Sequence, residues 1–114
     1  MYTVLIADDE PFAVEWLKLA VDWPKLGYRI VGTCHDGEDA LSSIDAHRPD
    51  VVVTDIRMPV LDGLGVIEQT RRSGNDSTLF VITSGFADFE YARQAIRLGV
   101  THYWTKPVIG SEAE

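Results

Sequence analysis

Five short runs rich in apolar and β-branched residues, each followed by a polar break, constrain this chain more than any other feature. They are YTVLIA (2–7), YRIVGTC (28–34), DVVVTD (50–55), TLFVIT (78–83) and THYWT (101–105). None alternates strictly between apolar and polar residues, so they read as strands covered on both faces. The segments between them carry a helical period. Pro11 is well placed at a helix start, and Val14, Leu17 and Val21 follow at helical spacing until DWPKLG breaks the pattern. Asp36 can cap a helix containing Ala40, Leu41 and Ile44. A third helix spans roughly 63–72, with Leu64, Ile67 and Glu68 on its turns, and RRSGNDS ends it. In DFEYARQAIRLG, Phe89, Ala92 and Ile96 share a stripe and Gly99 is the expected C-cap. Strand–helix alternation with short connections predicts an α/β layered fold around a parallel sheet. No helix can follow the fifth strand before the sequence stops, and VIGSEAE reads as a frayed tail.

Composition narrows the function classes. A chain of 114 residues suits one domain with one core. Its single cysteine, Cys34, forbids an internal disulfide and a cysteine-based metal site, which makes a reduced, cytoplasmic setting the default. No stretch has the apolar length of a membrane span, and MYTVLIADDE resembles neither a signal peptide nor a transit sequence. The net charge of −8 argues against direct binding to nucleic-acid phosphates, and the only Arg-Arg pair, in QTRRSG, reads as a solvated helix end.

The polar residues at the strand ends carry the functional signal. Asp8-Asp9 follow the first strand, Asp55 ends the third, Thr83-Ser84 lie at the fourth and Lys106 follows the fifth. In an open parallel sheet these carboxyl ends face one crevice. Neighbouring carboxylates repel unless a cation holds them. Oxygen ligands with no histidine at ligand spacing favour Mg²⁺ or Mn²⁺ over zinc. A metal, an ammonium and a hydroxyl around one carboxylate suit phosphoryl transfer. Each residue taken singly has an ordinary structural explanation; their placement at successive strand ends raises the site reading above it.

Four motifs in order, VLIADDEP (4–11), DVVVTDIRMPVLDG (50–63), VITSGFADFEYARQAIRLGV (81–100) and HYWTKPV (102–108), resemble the receiver domain of bacterial two-component response regulators. With DWPKLGYRIVGTCHDGEDAL (22–41), the likeness is strongest to receivers that precede an AraC-type DNA-binding domain. It covers nearly the whole chain, 1–114. The resemblance implies a flavodoxin-like, doubly wound, five-stranded parallel sheet of order 2-1-3-4-5. It also implies a sensor histidine kinase as phosphoryl donor and Asp55 as acceptor. Asp9 then matches a direct Mg²⁺ ligand, joined by Asp55 and the Arg57 carbonyl, with Asp8 acting through water. Ser84 matches the switch hydroxyl, Tyr103 the aromatic switch and Lys106 the phosphate-pairing lysine. Gly85, Pro107, Pro59 and Gly63 match supporting positions.

Two departures follow from that likeness. The family's fifth helix and the AraC-type domain are not encoded, so a C-terminally truncated receiver is expected. The first helix should then leave Phe12, Trp16 and Leu19 partly off its sheet-facing line, exposing an apolar patch that brings either marginal stability with an aggregating tendency or self-association, as a homodimer for example. Trp16 and Trp23 are expected in core or rim packing. His47 and His102 are expected on the surface, and Cys34 and His35 are expected to do no chemistry. The leading expectation is a phosphorylation-controlled switch, not a classical enzyme, with transcriptional output. A non-phosphorylated interaction or dimerisation module with the same fold is the alternative. A flavodoxin-type ligand binder is disfavoured, because LIADDEP offers acids where a flavin phosphate needs hydroxyls and backbone donors.

Overall fold

The computed structural model describes residues 1–84, 89–100 and 102–105, with the side chains of residues 89–92, 103 and 105 outside that description. Along the chain run β1 (Tyr2–Ala7), α1 (Pro11–Ala20), β2 (Tyr28–Cys34), α2 (Gly37–His47), β3 (Val51–Asp55), α3 (Gly63–Arg72), β4 (Leu79–Ser84), α4 (Phe89–Arg97) and β5 (His102–Thr105). The strands form one sheet, ordered β2-β1-β3-β4-β5, and every pair is parallel. The expected fold class and strand order are both found.

Successive strand residues serve opposite faces, and the core divides accordingly. Val4, Ile6, Val51, Val53 and Val81 meet Val14 and Leu17 of α1 and Val21 just after it, with Trp23 buried beside them. Leu5, Ala7, Val52, Phe80 and Ile82 face Ala40 and Ile44 of α2, Leu64, Val66 and Ile67 of α3, and Ala95 of α4. One helix therefore covers one face and three cover the other.

Local chemistry sets the element boundaries. Asp36 caps α2 by accepting from the Asp39 N–H at 2.8 Å, and Asp62 caps α3 by accepting from the Gly65 N–H at 2.8 Å. Gly99 lies at φ +78° after α4, as its C-cap reading requires. β3 begins at Val51, not at Asp50, because Asp50 is occupied as a brace. Its carboxylate accepts from the Thr3 N–H at 2.7 Å, and its carbonyl accepts from the Leu79 N–H at 2.9 Å. Thr78 likewise stands just outside β4, its hydroxyl donating to the Pro49 carbonyl at 3.0 Å.

One stripe differs from expectation. Ile96 is 72% exposed, whereas the adjacent Ala95 is fully buried against the three-helix core. Packing turns α4 onto its small residue. Phe89 and Ala92, the other members of the expected stripe, have side chains outside the described residues. Trp23 is buried with its indole N–H donating to the Leu17 carbonyl at 3.0 Å, while Trp16 is half exposed. Phe12 and Leu19 are 90% and 86% exposed, so the expected apolar patch on α1 is present. Four helices lie among the described residues; the expected lack of a fifth, and the expected frayed tail, concern 106–114, outside them.

Candidate functional site

The carboxyl ends of β1 and β3 bring Asp8, Asp9 and Asp55 together. Each offers a carboxylate oxygen, and those atoms lie within 4.8 Å of one another. Adjacent central strands make this possible: Ala7 pairs with Thr54, so the residues that follow each emerge side by side. Asp8 is fully buried, Asp55 half-buried and Asp9 exposed, which grades the cluster from the sheet outward to solvent.

Backbone donors fix the carboxylates. Asp8 accepts from the Glu10 N–H at 3.0 Å, and Asp55 accepts from the Ile56 N–H at 2.9 Å. The main chain of Asp8 is tied from both sides. Its N–H donates to the Cys34 carbonyl at 2.9 Å, and its own carbonyl lies 3.1 Å from His35 Nδ1. A carbonyl only accepts, so the ring nitrogen facing it carries the proton. Three mutually repelling carboxylates on short loops need such anchoring, and a hard cation suits their all-oxygen donor set.

The loop after Asp55 is packed as tightly. The Gly63 N–H donates to the Ile56 carbonyl at 2.6 Å, and a methyl group on Gly63 would run into the Asp55 carbonyl. Gly37 performs a similar service further along, since a side chain there would strike the main chain of Leu61. The Pro59 carbonyl accepts from the Leu61 N–H at 2.8 Å and from the Gly37 N–H at 3.3 Å. The first of these closes a three-residue turn centred on Val60, held at φ +71° although β-branched and 76% exposed. A positive-φ γ-turn is rare and strained. Met58 tucks under the loop, its sulfur accepting from the Thr54 hydroxyl at 3.8 Å. Arg57 is exposed on the same loop.

Ser84 is buried at the end of β4, one residue beyond Thr83, the cross-strand partner of Asp55. Tyr103 pairs with Ile82 through the β4–β5 ladder, and its side chain is outside the described residues. Lys106, Gly85 and Pro107 also lie outside them. His102 is exposed, as expected, and so is His47.

Three features were missed in the sequence. The Ile56 N–H on the Asp55 carboxylate has no side-chain signature at all. The turn at Val60 could be suspected only from Pro59 before it. His35, expected to do no chemistry, holds the main chain of Asp8 across a loop whose geometry no spacing rule supplies.

Residues 4–113 match the family described as response regulator receiver domain. The chain belongs to that family. Its relatives include the uncharacterized transcriptional regulatory protein YesN of Bacillus subtilis, 37% identical over 94% of this chain and 29% of the relative. The transcriptional regulatory protein HptR of Staphylococcus aureus is 36% identical over the whole chain and 44% of its own length. The receiver thus spans less than half the length of these curated relatives. Among solved structures, the REC domain of AraT, a response regulator from Geobacillus stearothermophilus, superposes with a TM-score of 0.90 at 35% identity. That match covers 97% of this chain and 85% of the other. The receiver is a signalling module of two-component systems, and relatives such as HptR are named transcriptional regulatory proteins. Among the described residues, no helix is long and apolar enough to cross a membrane.

Proposed function

We propose that this receiver is a cytoplasmic switch in which Asp55 takes a phosphoryl group from a sensor histidine kinase and the phosphorylated state controls transcription. The observation that carries the reading is the convergence of Asp8, Asp9 and Asp55 within 4.8 Å. Neighbouring carboxylates repel one another, and a bound cation relieves that repulsion.

In this reading an Asp55 carboxylate oxygen attacks the phosphorus of the donor phosphohistidine. The new O–P bond replaces the N–P bond, and the leaving imidazole keeps the electron pair. Asp9, Asp55 and the Arg57 carbonyl would hold Mg²⁺ or Mn²⁺, with Asp8 acting through water. Such an ion would supply neutralisation of the phosphoryl oxygens. Lys106 pairs with the product phosphate, and Ser84 donates its hydroxyl to it, beside the small residue Gly85. Movement of Ser84 then makes room for Tyr103 to turn inward, biasing the α4–β5 face between two states. Gly63 and Pro59 hold the loop that presents Arg57, and Pro107, next to Lys106 in the sequence, is the remaining supporting residue.

The whole protein is proposed to act through an AraC-type DNA-binding domain, with the receiver itself making no contact with DNA. The exposed Phe12, Trp16 and Leu19, at i, i+4 and i+7 on α1, support self-association, with a second copy covering that stripe. The test is intact mass after incubation with acetyl phosphate and Mg²⁺. One phosphoryl group is expected on the wild type and none on Asp55→Asn. Equal uptake by both would remove Asp55 from the site, and no uptake by either would favour the non-phosphorylated interaction module.

A further inference from the structure

Thr83 is 1% exposed, and among the described residues its hydroxyl has no hydrogen-bond partner. An orphaned buried hydroxyl is costly, and valine would fill the same space without that cost. Packing therefore does not explain it. Position does.

On β3 and β4, Val53 and Val81 face the α1 side of the sheet, and Val53 pairs with Val81. Two residues further along, Asp55 pairs with Thr83, so strand alternation directs both side chains to that same face. On the other side of Asp55, Ala7 pairs with Thr54, and Ile6 faces the α1 side. Asp8 therefore continues the same row. Asp55 thus stands between a buried carboxylate just past the end of one neighbouring strand and a buried hydroxyl on the other.

We infer that Thr83 is a second hydroxyl donor of this site, kept unpartnered until Asp55 carries a phosphoryl group. Adjacent strands are about 4.8 Å apart. At that spacing the unphosphorylated carboxylate, with Asp55 Oδ1 engaged by the Ile56 N–H, makes no bond to the Thr83 hydroxyl. A phosphoryl group extends the side chain and adds three acceptor oxygens, which brings an acceptor within reach of the hydroxyl. The bond it makes is charge-assisted, so it stabilises the phosphorylated form selectively. This role is separate from that of Ser84, which lies one residue later in β4. It rests on the phosphorylation reading above.

The experiment compares wild type, Thr83→Val and Thr83→Ser by thermal melting, alone and with beryllofluoride and Mg²⁺ as the phosphoryl stand-in. Alone, Thr83→Val should melt about 4 °C higher, because it removes an unsatisfied group. With beryllofluoride it should bind roughly tenfold more weakly, the worth of one charge-assisted hydrogen bond. Thr83→Ser should bind like the wild type. A purely structural threonine moves both readings in the same direction; the proposed donor moves them oppositely. Unchanged beryllofluoride affinity in Thr83→Val, or a lower melting point without ligand, overturns the inference while leaving the phosphorylation reading intact. Failure of the wild type itself to respond to beryllofluoride removes that reading and this inference with it.

Discussion

Replacing Gly63 with alanine tests whether the loop after Asp55 is as tightly held as its contacts imply. Gly63 opens α3, and its φ is not positive, so backbone strain is not the issue. Space is. The added methyl would meet the Asp55 carbonyl and the Ile56 main chain, none of which is a flexible side-chain end. The backbone must move apart, which weakens the 2.6 Å hydrogen bond from the Gly63 N–H to the Ile56 carbonyl. Overpacking costs about 1–3 kcal/mol, and the weakened bond adds about 1 kcal/mol. Alanine's better helix propensity returns up to about 1 kcal/mol. The net loss is about 1–3 kcal/mol, a large share of the ~5–15 kcal/mol that holds a domain folded. Because the chain that must yield belongs to Asp55, Mg²⁺ affinity should fall as well. Urea unfolding measures the first effect and calorimetric titration with MgCl₂ the second. Gly74→Ala is the control: Gly74 has φ +95° with nothing within 4 Å, so it should lose stability through strain and keep its Mg²⁺ affinity. A Gly63→Ala protein within 0.5 kcal/mol of wild type, a margin usual for surface changes, would refute the packing argument.

Two further outcomes follow from surfaces and burial. Multi-angle light scattering across a concentration series should show self-association that is reduced in a Phe12→Ser, Leu19→Ser double variant; identical molar masses for variant and wild type would show that α1 is not the contact. Burial pushes the Cys34 thiol above its ordinary 9.0, with Asp39 and Asp36 adding to the rise and the Ser43 hydrogen bond opposing it. The folded state therefore keeps this proton longer than the unfolded state. The contribution is fully present below pH 9.0 and is lost as pH rises through the folded value. Melting scans should accordingly show a shallower alkaline decline in Cys34→Ala, and parallel declines would sink the assignment to Cys34.

The sequence by itself determined the elements, their order and which carboxylates meet at the strand ends. β1, β2 and α3 occupy the expected residues, because apolar runs, the helical period and capping residues act over a few positions of chain. Asp8, Asp9 and Asp55 were legible because a parallel sheet collects its strand ends along one edge. The tertiary structure decided what depends on contacts between distant segments. Asp50 left its strand to brace Thr3, and Ala95 displaced Ile96 from the core-facing side of α4. His35 met the Asp8 carbonyl across 27 positions of chain, and Gly63 gained its importance from the Asp55 main chain lying against it. Cross-strand register set Thr83 beside Asp55, and no local pattern distinguishes that threonine from one that merely fills a strand. Propensity and periodicity act along the chain, whereas hydrogen-bond partners and forbidden volumes arise only once the sheet has formed.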